Sequence, residues 1–156
     1  MSHNSSEASV LAFSFEVRSL VTDLNGALTT LFRPLGLTCV QAEALMALDQ
    51  LGPVTLKRLG DHLVAESGHP SRLVSKLAAD GLVARRASES DGRAVVLELT
   101  DRGRDLAVRA RAARAPLLAE FSARFGGRLD RTTDVLRDVR SALTGADPYP
   151  VDERTR

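Results

Sequence analysis

Ser71, Arg72, Ser75 and Lys76 place two cations and two hydroxyls within six consecutive residues. At 3.6 residues per helical turn they share one face with Ala79, while Leu73, Val74 and Leu77 fall on the opposite one. A solvated helix face usually mixes both signs of charge, yet Gly68 to Ala79 contains no Asp or Glu. Cations can neutralise phosphates, hydroxyls can bond to phosphate oxygens or base edges, and short side chains let a polyanion approach the backbone. Asp91 and Arg93 follow further on, and Lys57 and Arg58 precede.

These groups need a scaffold. Pro70 is tolerated only in a first helical turn, so the helix starts near Ser67, which can cap it. Gly81 supplies a left-handed stop. Leu82 to Arg86 and Val95 to Leu99 read as strands, with Val95, Leu97 and Leu99 alternating against Val96 and Glu98. Between them runs Ser88-Glu89-Ser90-Asp91-Gly92-Arg93, and Asp-Gly is a strong hairpin signal. A helix followed directly by a charged hairpin is the layout of a winged helix, the helix entering a major groove and the hairpin reaching the backbone or minor groove. The plainer alternative is a small α/β module whose cations are only solvated.

The same residues resemble the MarR-type winged-helix regulators. The likeness is carried by Ser71-Arg72-Leu73-Val74-Ser75-Lys76-Leu77, Gly81-Leu82-Val83, Arg85-Arg86, Asp91-Gly92-Arg93, and Leu99-Thr100 followed by Gly103. Order and spacing match over about residues 35 to 105, with a departure at Gly68-His69-Pro70. The resemblance implies a single MarR-like domain over 1–156. It is mainly α with a small β-hairpin wing, a winged helix-turn-helix reader at about 37–104, dimerisation helices at about 6–33 and 104–144, and a loose tail at 145–156. It also implies a homodimeric repressor of a near-palindromic double-stranded DNA operator, relieved by a small, often aromatic ligand. Ser71, Arg72, Ser75 and Lys76 would then face the major groove, and Arg93, positioned by Asp91, the minor groove.

The flanks support such an assembly. From Ser6 to about Phe32, Val10, Phe13, Val17, Leu20, Val21, Leu24, Leu28, Leu31 and Phe32 form one apolar stripe, ended by Pro34 and Gly36. Leu11 and Phe15 lie off that stripe, on another face. Thr38 and Gln41 fit a capping box ahead of a helix that turns Ala42, Leu45, Met46 and Leu48 inward and ends at Gly52-Pro53. Thr55 can cap a short helix with Leu56, Leu59 and Leu63. Lys57 and Arg58 sit in its first turn, where a backbone phosphate could be held; the alternative is ordinary surface charge. Thr100 caps a helix to about Phe125 that repeats Leu106, Ala110, Ala113, Leu117, Phe121 and Phe125 and contains Pro116. After Gly126-Gly127 a last helix starts at Asp130 or Thr132. A reader of some 50 residues cannot bury all these flanks, and a second copy of the chain is the simplest cover.

Composition narrows the remaining choices. Across 156 residues the net charge is +1, so affinity for a polyanion must come from placement rather than bulk charge. Cations number two against five acids in residues 1–56, nine against seven in 57–104, and ten against eight in 105–156. The 19 Arg and 2 Lys reflect a GC-rich genome as readily as phosphate binding. His3, His62 and His69 lack metal-ligand spacing, and neither a phosphate loop, a nucleophile elbow nor an acid–base pair is present. The expectation is a non-enzyme without cofactor or metal. With no signal-peptide pattern and no apolar run of about 20 residues, it is expected to be cytoplasmic and without a membrane partner.

Cys39, the sole cysteine, opens a helix, and a helix N-terminus favours a thiolate. Some members of the family sense oxidants through cysteine. The preferred reading is nevertheless a small half-buried residue filling a helix start. The ligand implied by the resemblance would bind where dimer helices meet the reader, beside Phe13, Val17 and Leu20, Cys39 and Leu106. Two alternatives stand beside the DNA-binding regulator: a winged-helix protein-interaction module without DNA binding, and a thiol-based redox regulator using Cys39.

Overall fold

The computed structural model describes residues 2–63, 70–87 and 95–145, with side chains from residue 6. Helix α1 spans Ser2–Phe32 and passes into one turn of 3-10 helix, Arg33–Leu35. Gly36 closes that turn at φ 70, a left-handed conformation that glycine adopts without Cβ strain. Helix α2 is Cys39–Leu51, strand β1 Val54–Thr55, helix α3 Leu56–His62 and helix α4 Pro70–Ala79. Strands β2 (Val83–Ala87) and β3 (Val95–Leu99) precede helices α5 (Asp101–Phe125) and α6 (Gly127–Thr144). The fold is mainly helical with a small antiparallel sheet, as expected for a winged helix.

Local chemistry accounts for most boundaries. The Thr38 hydroxyl accepts from the Gln41 amide, and Gln41 Oε1 accepts from the Thr38 amide at 2.9 Å, a complete capping box. The Thr55 hydroxyl accepts from the Arg58 amide at 3.3 Å at the start of α3. At the end of α4 the Leu82 amide donates to the Leu77 carbonyl, the Gly81 amide to that of Ala78, and Gly81 takes φ 71. This pair of bonds is a Schellman stop. It draws Leu82 out of the strand expected from 82 to 86, so β2 starts one residue later.

The sheet has three strands rather than two, in the order β1-β3-β2. Only two residues long, β1 carries no alternation long enough to read in the sequence. It pairs Val54 with Leu97, while β2 pairs Val83 with Leu99 and Arg85 with Leu97, both antiparallel to β3. Val54, Val83, Leu97 and Leu99 are buried on one sheet face, continuous with Ala42, Leu45 and Leu48 of α2, Leu59 of α3, and Val74 and Leu77 of α4.

The chain divides into two compact units, Met1–Arg114 and Ala115–Arg156. In the first, α1 contributes Leu28 and Phe32 to the core, but Val10, Leu20 and Val21 of the apolar stripe are exposed, as are Leu11 and Phe15. The buried line on this part of α5 runs through Gly103, Ala107 and Ala110, with Leu106 half-buried beside it. A Cβ at Gly103 would overlap the Leu82 carbonyl, so this crossing needs glycine. In the second unit, α5 remains helical through Pro116 to Phe125, where the Phe121 and Phe125 rings meet edge to face at 5.8 Å. Helix α6 starts at Gly127, not at Asp130 or Thr132. Gly126 alone makes the break, because the Leu129 amide already bonds its carbonyl. Leu129, Val135, Val139 and Leu143 of α6 are exposed. No single helix among the described residues is long and apolar enough to cross a membrane.

Candidate nucleic-acid interface

Helix α4 is held on its inner side by Val74 and Leu77, both essentially inaccessible, and packs on α2, α3 and β2. At its start Pro70 lies beside Gly60 of α3, where an added Cβ would sit in ordinary contact with the ring at 3.5 Å. Anchored in this way, α4 turns Ser71, Arg72, Ser75, Lys76 and Ala79 outward together, all exposed. The expected face is therefore assembled. Its electrostatics are less uniform than the acid-free run suggests, because Lys76 Nζ lies 2.8 Å from Asp80 Oδ1 just beyond the helix. Arg72 has no ion pair among the described residues.

Arg85 joins this face from the sheet. Its Nη2 donates to Ser75 Oγ at 2.9 Å. The neighbouring Arg86 points to the other side of the strand, where its Nη2 meets Glu98 Oε1 at 2.8 Å. The sequence places Arg85 only within a motif. Strand alternation, which puts it on the Val83 side of β2 and hence toward α4, is the signal that could have assigned it.

Lys57 and Arg58 are exposed in the first turn of α3. The Thr55 hydroxyl already takes the Arg58 amide there, and His62 Nδ1 lies 3.1 Å from the Arg58 carbonyl. What these two residues offer is side-chain charge. Asp91 and Arg93, the hairpin turn that carries them, the Ser67 cap and the tail from 146 lie outside the described residues.

The five residues expected around a ligand are divided. A cavity of roughly 600 Å³ is lined by Asn25, Thr29, Arg33, Cys39, Val40 and Glu43, among others. A second, of roughly 450 Å³, has Leu106 on its wall with Gln41, Asp80 and Arg102. Gly36 and Leu37 line both. Phe13, Val17 and Leu20 line neither, because they lie more than one helical turn toward the N-terminus of α1. Burial pushes the Glu43 carboxyl above its ordinary value, and the Arg114 guanidinium partly opposes this. Cys39 is half-buried, with Sγ 3.3 Å from Thr29 Oγ1 and 3.7 Å from the Asn25 carbonyl. Thr29 spends its one hydroxyl proton on the Asn25 carbonyl at 2.7 Å, so the Cys39 thiol is the donor to Thr29. No group of three or more metal-binding side chains occurs among the described residues.

Comparison with known proteins bears directly on this arrangement. The winged helix DNA-binding domain family matches residues 37–103. The transcriptional repressor Rv2887 of Mycobacterium tuberculosis is 39% identical over 94 residues, 58% of this chain and 68% of its own length. A crystallised MarR family transcription regulator is 26% identical, with TM-score 0.66, covering 89% of this chain and 91% of its own. The chain belongs to the MarR-type winged-helix regulators.

As a MarR-type protein it is a DNA-binding transcription regulator, in a family of regulators rather than enzymes. It is also similar to the organic hydroperoxide resistance transcriptional regulator of Bacillus subtilis, 33% identical over 69 residues. That match takes in 44% of this chain and about half, 47%, of the relative. The MarR-type fold further aligns with the S. aureus MepR–DNA complex at TM-score 0.75 and 16% identity, over 85% of this chain and 96% of that one.

Proposed function

We propose that this protein is a homodimeric repressor that reads a near-palindromic duplex through α4. Ser71, Arg72, Ser75 and Lys76 meet base edges in the major groove, Lys57 and Arg58 meet phosphates, and Arg93, positioned by Asp91, enters the minor groove. The observation that carries this reading is the outward face of α4: five exposed side chains, none acidic, on a helix fixed by Val74 and Leu77. The MepR structure, which contains DNA, supports the same use of the fold. A protein-interaction module would not require two guanidinium groups, Arg72 and Arg85, without an ion pair among the described residues, beside two serine hydroxyls.

In this reading residues 1–156 act as one MarR-like domain in the cytoplasm, with the reader at about 37–104. The exposed apolar residues of α1 (Val10, Leu11, Phe15, Leu20, Val21) and of α6 are covered by a second copy. Two readers then meet half-sites about one helical turn, ~34–36 Å, apart. A small effector acts at the junction containing Cys39 and Leu106, where the two cavities adjoin, and Phe13, Val17 and Leu20 join it through the dimer. Such a ligand must bind the two reader spacings unequally to shift DNA binding. A coupling of about 1–3 kcal/mol would lower operator affinity roughly 5–150-fold. Thiol-based sensing through Cys39 has a motive in the hydroperoxide regulator, but a thiol occupied in donating to Thr29 favours the structural role.

The test is a mobility shift of DNA flanking the protein's own gene, with salt varied. Affinity should fall steeply with salt, and Arg72→Ala should cost about 1–3 kcal/mol and relax base preference at one position of each half-site. Wild-type binding by Arg72→Ala would overturn the assignment of α4 as the reader.

A further inference from the structure

The contact between Arg85 and Ser75 determines what kind of base edge the serine can read. A serine hydroxyl has one proton to give and two lone pairs to accept with. Several helical hydroxyls in this protein give that proton to the carbonyl four residues earlier: Ser14 to Val10, Thr22 to Arg18, Thr29 to Asn25 and Thr30 to Gly26. Ser75 is not one of them. Among the described residues it makes no such bond to Ser71, and its Oγ instead accepts from the Arg85 guanidinium at 2.9 Å. One lone pair is taken by a cationic donor, which repels the hydroxyl proton and turns it away. Ser75 is exposed, so that proton is free to be given at the surface α4 presents.

We propose that Arg85 is a positioning residue that biases Ser75 to act as a hydrogen-bond donor toward DNA. This rests on the α4 reading above. The major-groove edges of guanine, adenine and thymine each carry an acceptor, whereas cytosine offers only its amino donor. With its proton free and one of its two lone pairs occupied, Ser75 favours an acceptor edge and disfavours cytosine at the base it meets, whereas an unconstrained serine would serve either kind of edge more evenly. The assignment singles out Arg85 and not Arg86. Strand alternation sends the two arginines to opposite faces of β2, and Arg86 is neutralised by Glu98. Arg85 has no ion pair among the described residues, so its remaining N–H groups stay available to a phosphate. The bond also ties the first wing strand to the reader helix.

The experiment starts from a randomised duplex pool enriched on the wild-type protein. Binding of wild type, Ser75→Ala, Arg85→Ala, Arg85→Lys and the double Ala variant is then measured on duplexes carrying each base at every half-site position. Wild type should disfavour cytosine at one position by about two- to twelve-fold, the range of a single net hydrogen bond. Ser75→Ala should abolish that discrimination, and Arg85→Ala should weaken it although the serine is intact. Arg85→Lys, which restores a cationic donor, should recover it, and the double variant should show the same base preference as Ser75→Ala alone. A merely structural or phosphate-binding Arg85 would lower affinity evenly, reduce the salt slope by about one and leave the base preference unchanged; that result overturns the inference alone. A wild-type pool with no enriched sequence overturns the α4 reading and this inference with it.

Discussion

Thr100 donates its hydroxyl proton to the Gly81 carbonyl across a gap of 2.8 Å. The same oxygen accepts from the Gly103 amide at 3.1 Å, so one side chain caps α5 and holds the stop that ends α4. Thr100→Ala should lose about 0.5–2 kcal/mol, the range for a lost N-cap. Urea unfolding should show a lower midpoint at unchanged slope. Thr100→Ser should retain most of the stability, and an equal loss in that variant would assign the effect to the methyl group.

Gly103→Ala should destabilise although alanine is the better helix former by about 1 kcal/mol. The added methyl would collide with the Leu82 carbonyl, and overpacking of this kind costs about 1–3 kcal/mol or more. A thermal melt decides the sign. A rise in melting temperature would mean that α5 can move off Leu82 at little cost.

Glu43 makes stability depend on pH. Its carboxyl holds a proton to higher pH in the folded chain than in the unfolded one. From the ordinary glutamate value up to that raised one the native state binds more protons, and stability falls as pH rises. Above that window the loss persists in full; below it the contribution vanishes. The stability of Glu43→Gln relative to wild type should therefore climb from about pH 4 upward and then level off. Urea melts at a series of pH values would refute this if the difference were flat.

Leu136, half-buried on α6 among exposed Leu129, Val135, Val139 and Leu143, tests the assembly. Leu136→Asp should give monomers or insoluble protein, because it buries a charge wherever a second copy covers this face. Light scattering at micromolar concentration is the measurement. A monodisperse wild-type monomer would remove the dimer from the proposed function.

Cys39→Ser should leave DNA binding intact, since a serine hydroxyl can make the same donation to Thr29. Any response of operator binding to peroxide should be unchanged as well. A variant that loses such a response would establish Cys39 as a sensor.

Features built from consecutive residues were legible in the sequence. Thr38 and Gln41, Thr55, Gly81, and the two faces of α4 all depend on spacing within one or two turns, and each is found where spacing puts it. What escaped depends on residues distant along the chain. Strand β1 exists only because Leu97 offers a second edge to Val54. The pairing of Arg85 with Ser75 needs the sheet folded against the helix, and of the two junction cavities one combines α1 with α2 and the other α2 with α4 and α5. Asp80 escaped for a different reason: it stands one residue past the acid-free run, four from Lys76, and neutralises a cation counted as free. The burial of α1 also differs from its periodicity, since a regular apolar stripe says that a face is covered but not by which chain.

Leu97 has one further consequence, for anyone who would re-engineer the wing. It is paired on both edges, with Val54 on one side and Arg85 on the other. A strand clamped on two sides cannot slide by a residue, because a slip would turn Leu97 and Leu99 out of the core and break both ladders at once. Length changes between Ala87 and Val95 must therefore be absorbed within that segment. A change of length or charge in the segment that joins β2 and β3 would leave their register as it is.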